Sequence, residues 1–328
     1  MSSLDGVESA YLPRATAPAR RLWLGGLAIG ALWLGAAAIV HFWPDADDWS
    51  YTDGLAGLEA ALGAALLLAG LTGGWSGLRR AAPWLAVLAL AFTAWEIATA
   101  KLDWLPRPFF TPPQAFLEVY LEDWPRLGGS VLHSLQLLLT GYLIGAAAGF
   151  VTGVAIGWSR IVGYWVHPVL RLIGPLPATA WLPLAFFVFP SSFSASIFLI
   201  ALATAFPVTI LTWSGVAGVN SAYYDIARTL GASERFLVLR VAVPAALPHV
   251  FVGLFMGLGA SFSVLVVAEM LGVKSGLGWY LQWAQGWAAY ANMYAALLVM
   301  ALMCSGLITL LFRLRDRALS WQKGLLRW

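Results

Sequence analysis

Runs of about 20 apolar residues recur along the whole chain, and no other feature restricts its fold as tightly. A helix of that length crosses the hydrocarbon core of a bilayer, and lipid admits only structures that satisfy every backbone polar group internally. The runs read as spans at 22–43, 55–71, 81–100, 130–158, 161–190, 195–216, 250–271 and 291–312. Charge is correspondingly scarce: 11% of the 328 residues are Asp, Glu, Lys or Arg, against about 25% in a soluble domain. The expectation is an all-α, polytopic helical membrane protein with about eight transmembrane helices.

The individual runs differ in ways that bear on function. The first follows Arg14, Arg20 and Arg21 and resembles a signal peptide, but its 22 residues and internal Trp23 and Trp33 make it too long and bulky for an h-region of about 7–15. It is read as an uncleaved span. The fourth carries Gly141, Gly145, Gly149, Gly153 and Gly157; four-residue spacing places them near one helical face, where a neighbouring helix can approach closely. The fifth is broken by Pro168, Pro175, Pro177 and Pro183. Such backbone is tolerated at membrane depth inside a bundle or beside a cavity. Between the third and fourth spans, residues 114–123 read as a short surface helix. Residues 274–293 are rich in Trp and Tyr, which suggests an interfacial or re-entrant element.

Counting basic residues orients the chain. With the N-terminus inside, the inner set is Arg14, Arg20, Arg21, Arg79, Arg80, Arg160, Arg171, Arg228, Arg235, Arg240, Arg313, Arg315, Arg317, Lys323 and Arg327. The outer set is Lys101, Arg107, Arg126 and Lys274. This bias places both termini in the cytoplasm and the aspartate-rich loop at 44–53 outside. A bacterial inner-membrane location is expected.

Catalytic and metal chemistry find no constellation. His41, His133, His167 and His249 are scattered, Cys304 is single and sits in an apolar run, and the stretch from Gly272 to Ser275 lacks a phosphate-loop frame. Glu59, Glu96 and Glu269 lie within spans, where an ionised group costs about 2.5–3.5 kcal/mol at the bilayer centre. Glu96 and Glu269 are near outer span ends, which favours capping or hydrogen bonding over substrate contact. Glu59 is near the start of its span and can snorkel. A gradient-driven secondary transporter, the alternative class, needs carboxylates nearer the midplane and commonly inverted repeats.

One polar island, residues 221–248, interrupts the apolar pattern on the inner side. Asn220 or Ser221 can cap a short helix, Asp225 falls in its first turn, Gly231 stops it, Ser233 caps a second helix, and Pro244 and Pro248 limit that one. A helix–turn–helix between two spans is a handle for something outside the membrane.

The spacing within this island resembles the cytoplasmic loop of permease subunits of binding-protein-dependent ABC importers: E-A-A, three residues, G, nine residues, I-x-L-P. Asp225-Ile226-Ala227, Gly231 and Val241-Ala242-Val243-Pro244 occupy those places. The flanking LGASERF, VVAEMLGVKSGLGW and LPRPFFTPPQAF stretches resemble the branch that carries aliphatic sulfonates, taurine, nitrate or bicarbonate.

The resemblance implies a six-helix type I ABC importer permease core over residues 81–328, with residues 1–80 adding a tail and two spans. It implies a coupling set of Asp225, Ala227, Arg228, Gly231, Ala232 and Pro244 that docks on a separate ABC ATPase in two copies. ATP and Mg would bind to that ATPase, and this chain would bind no cofactor. A second permease copy, as a homodimer, would complete the pathway. A periplasmic or extracellular solute-binding protein would deliver the solute, and no nucleic-acid partner is implied. Pathway candidates are Gly141, Gly145, Gly149, Pro177, Pro183 and Glu269.

Overall fold

The computed structural model of the protein describes residues 22–322. The N-terminal tail and Arg14, Arg20, Arg21, Lys323 and Arg327, which enter the charge count, lie outside them. The regular elements of the described residues are all helices, without a strand. Seven helices are long and apolar enough to cross a membrane, and a pair bent by 87° raises the number to eight.

The chain divides into two compact units between Glu118 and Val119. The first contains α1 (Leu24–Phe42), α2 (Thr52–Thr72), α3 (Ser76–Glu96), and most of α4 (Pro113–Glu122). Helices α1 and α2 form a close hairpin: a Cβ at Gly30 would stand 2.8 Å from the Gly63 carbonyl oxygen. Helix α3 ends in a π-helical turn, Ile97–Lys101, and this turn carries the unit's principal polar contact. The Lys101 side chain is fully buried. Its ammonium donates to the Val40 and Trp43 carbonyls at 2.8 and 2.6 Å and to Asp45 Oδ1 at 2.6 Å. Glu96 Oε1 lies 3.6 Å away and accepts from Gln114 Nε2 at 3.3 Å. A cation on the last carbonyls of α1 answers the negative end of the helix dipole. This arrangement ties the α1–α2 hairpin to the end of α3.

The second unit is built on α5 (Trp124–Trp158), α6 (Arg160–Ile173), α7 (Leu182–Val188), α8 (Ser192–Ala217), α11 (Val243–Leu271), α12 (Leu277–Gly286) and α13 (Tyr290–Ala318), with two short helices, α9 (Ser221–Thr229) and α10 (Glu234–Phe236), after α8. The glycine row of α5 packs along α8. Cβ atoms would come within 2.3 Å of the Ala201 carbonyl at Gly145, 2.6 Å of the Ala205 carbonyl at Gly149, and 2.6 Å of Thr212 Cβ at Gly153. Close backbone approach over several turns makes α5 and α8 the spine of the unit. Helix α11 crosses the same α8 through Gly253 and Gly257. The Pro-broken segment is α6 and α7, joined through a 3₁₀ turn at Ala178–Trp181.

The aromatic stretch after α11 folds inward rather than along a surface. In α12, Leu277, Tyr280 and Ala284 are fully buried. Tyr280 donates to Asp123 Oδ2 at 2.6 Å and accepts from Asn292 Nδ2 at 2.7 Å, linking α12 to the starts of α5 and α13. Burial raises the Tyr280 phenol well above its usual range.

Candidate functional site

The polar island folds as a turn between short helices. Asn220 Oδ1 accepts from the Ala222 amide at 2.9 Å and starts α9. The helix closes with a Schellman pair: Gly231 N donates to Arg228 O at 2.9 Å, and Ala232 N to Ala227 O at 3.0 Å. Gly231 has φ +82°, and a Cβ there would meet nothing within 4 Å. Backbone conformation, not space, therefore selects glycine. Asp225 is the fifth residue of α9 and lies beyond its first turn, so the expected macrodipole contact is replaced by Arg228 at 3.9 Å. Arg228 also reaches Glu234 at 3.5 Å, across the turn. Exposed pairs of this length contribute little to stability.

Ser233 Oγ accepts from Phe236 N at 3.4 Å, and α10 then runs without a loop into α11 through a π-helical turn, Leu237–Ala242. Pro244 explains the wide turn. Its ring would clash with the Arg240 carbonyl in a regular α-helix and its nitrogen has no hydrogen to donate, and both conflicts ease in the wider π geometry. Pro248 lies inside α11 without ending it.

This connection presents apolar side chains to the outside. Tyr223 and Ile226 are each 61% exposed and Leu230 is 82% exposed. Spacings of three and four residues put them on one face. On the opposite side, Tyr224 meets Trp158 edge to face, with ring centroids 5.5 Å apart. Burial raises its hydroxyl pKa, partly opposed by Arg228. Helix α9 is thus anchored through Tyr224 to the end of α5 while its apolar ridge points away. The sequence reading overlooked that ridge, although the alternation of Tyr223, Ile226 and Leu230 with Asp225 and Arg228 was its signal.

The pathway candidates separate. Gly141, Gly145 and Gly149 are buried against α8. Pro183 sits in the first turn of α7. Glu269 is buried: Oε1 accepts from Ser134 Oγ at 2.7 Å and Oε2 from the Gly278 amide at 2.8 Å. Ser134 Oγ in turn accepts from the Leu277 amide at 2.8 Å. These contacts cap the N-terminus of α12, where backbone donors lack helical partners. Pro177 lines a cavity of about 570 Å³ between the α6–α7 break, α8 and α11. Its wall is apolar apart from the hydroxyls of Thr179 and Ser263. A second cavity, of about 820 Å³, adjoins it through Gly174, Phe206 and Ile210 and contains His167 and Arg171.

Two other sequence readings change. Lys101, counted as a loop cation, is buried, and Glu59 is 4% exposed instead of snorkelling, with its Oε2 lacking a hydrogen-bond partner. Among the described residues no group of three or more His, Cys, Asp or Glu is arranged to hold a metal ion.

Comparison with known proteins places this architecture. The family described as binding-protein-dependent transport system inner membrane component matches residues 141–319, which include the whole turn and both cavities. The nitrate import permease protein NrtB of Synechococcus elongatus is 28% identical over 251 residues, 73% of this chain and 87% of that protein. The putative aliphatic sulfonates transport permease protein SsuC of Bacillus subtilis is 30% identical, over 67% of this chain and 79% of that protein. The bicarbonate transport system permease protein CmpB of Synechococcus elongatus is 32% identical, over 60% and 68%. The chain is a multi-span permease subunit that belongs to the family of binding-protein-dependent transport system inner membrane components.

Proposed function

We propose that this chain forms the membrane pathway of an ATP-driven importer for a small anion. The observation that carries the reading is the α9 ridge of Tyr223, Ile226 and Leu230, exposed on a helix anchored to α5 and closed by Gly231. An apolar helix face of this kind fits a groove on a partner. The partner is an ABC ATPase, in two copies, which binds ATP and Mg and hydrolyses the nucleotide. Asp225, Ala227, Arg228, Gly231, Ala232 and Pro244 shape the docking turn. With Gly231 in the left-handed region, the chain reverses tightly and keeps the ridge prominent.

A second copy of this chain completes the pathway, and a solute-binding protein delivers the solute on the opposite side, at the α12 region. The names of the relatives, for nitrate, bicarbonate and aliphatic sulfonates, support a small oxyanion. The Pro177 wall and the neighbouring cavity are the path. The glycine row and the Glu269 cap hold the helices that frame it, and both termini lie in the cytoplasm.

Reconstitution with the ATPase and the binding protein tests this. Uptake of labelled nitrate, bicarbonate or ethanesulfonate is expected only with ATP and binding protein present. Uptake driven by an ion gradient without ATP would favour a secondary transporter instead.

A further inference from the structure

We propose that Arg171, with His167 beside it, forms an anion subsite on the inner half of the pathway. This rests on the reading of the chain as an importer permease for a small anion, and it names the chemistry that carries the solute past the apolar cavity.

Helix α6 and the residue that follows it approach α8 at two places. At one, His167 and Trp213 have ring centroids 4.4 Å apart, and at the other a Cβ on Gly174 would meet Phe206 at 2.4 Å. Arg171 lies between these positions in the chain and lines the same cavity as Ile210. Ile210 is seven residues before Ala217, the end of α8, or about 10 Å along the helix axis. A guanidinium at that depth is costly unless it is paired or reaches water, and Arg171 is exposed. Among the described residues, Arg171 makes no hydrogen bond or ion pair, and no carboxylate lines either cavity. Its charge is therefore not neutralised by this chain.

The two cavities share a wall at Phe206 and Ile210 but differ in chemistry. The one beside Pro177 offers an oxyanion only the hydroxyls of Thr179 and Ser263. The next contains the guanidinium, with His167 one helical turn further toward the start of α6. A planar guanidinium donates two parallel hydrogen bonds to nitrate, bicarbonate or a sulfonate head. An anion leaving the apolar cavity therefore meets its first fixed cation at Arg171.

The test uses the assembled permease, ATPase and binding protein in proteoliposomes, with labelled nitrate, bicarbonate and ethanesulfonate as probes. In Arg171→Gln, initial uptake of the transported anion should fall by about tenfold to a hundredfold, the range expected for a lost charged hydrogen bond. Arg171→Lys should retain most of it. Co-purification of the ATPase with each variant shows that the fold is intact. Equal uptake by wild type and Arg171→Gln would overturn the subsite, leave the importer reading standing and assign the guanidinium to the lipid headgroups. ATP-driven uptake of an uncharged solute alone would also overturn the subsite. No ATP-driven uptake by the wild type would remove the importer reading itself.

Discussion

Ser134 on α5 and Glu269 on α11 meet at 2.7 Å and together hold the first two amides of α12. Gly276, which precedes α12, has φ +98°, and a Cβ there would fall 2.2 Å from Glu269 Oε1. The carboxylate and the glycine therefore fit as one unit. Glu269→Ala leaves Ser134 Oγ and the Gly278 amide without an acceptor, and each orphaned group costs about 1–3 kcal/mol. Thermal unfolding of the purified protein in detergent should show both Glu269→Ala and Gly276→Ala shifted down, with Glu269→Gln less affected. An unchanged midpoint for Glu269→Ala would reduce this network to incidental contact.

The α5–α8 spine makes a position-dependent prediction. Gly145→Ala should destabilise by about 1–3 kcal/mol, because its new Cβ would meet the Ala201 backbone and Thr204 Cβ, neither of which can swing away. Gly259→Ala on α11 meets open space and should be close to neutral. Equal effects at the two sites, measured by yield of monodisperse protein and unfolding midpoint, would contradict the packing.

Lys101 stabilises the first unit through buried charge. Lys101→Met leaves Asp45 and Glu96 facing each other without a cation, and removing one partner of a buried pair costs about 3–5 kcal/mol. Protease cutting within residues 44–53 should accelerate strongly, and the double change with Asp45→Asn should recover part of the loss. No acceleration would mean that the hairpin is held by its apolar faces alone.

Much of this organisation was legible in the amino-acid order because lipid imposes it. Apolar run length located the spans, and the glycine spacing of α5 located the face that meets α8. Gly231 and Asn220 marked the turn by their own backbone and side-chain chemistry. What escaped depends on distant partners. Lys101 follows an apolar run and reads as a loop cation until the carbonyls of Val40 and Trp43 come to it. Glu269 read as a capping or hydrogen-bonding residue, but its partners, Ser134 and the Gly278 amide, come to it only through the fold. The long α11 was expected to start near residue 250, because Pro244 and Pro248 read as breaks. A π-helical turn absorbs the first of them.

Orientation is testable at the α1–α2 loop. A reporter fused at Asp47 should be active only on the outer side, and one fused after Gly218, where α8 gives way to the polar turn, only in the cytoplasm. The reverse pattern would move the turn away from any cytoplasmic ATPase.

The central claim is that the ridge on α9 is where the energy source attaches. Ile226→Asp is the most direct probe, because Ile226 is exposed and lies within a regular helix, so the substitution disturbs the docking face and leaves the fold alone. Gly231 is less clean, since its φ makes any side chain strained. The measurement is the amount of ATPase that co-purifies with detergent-solubilised wild type and Ile226→Asp. The account predicts near-complete loss of ATPase from the variant with its unfolding midpoint unchanged; undiminished ATPase on a folded Ile226→Asp protein would contradict it.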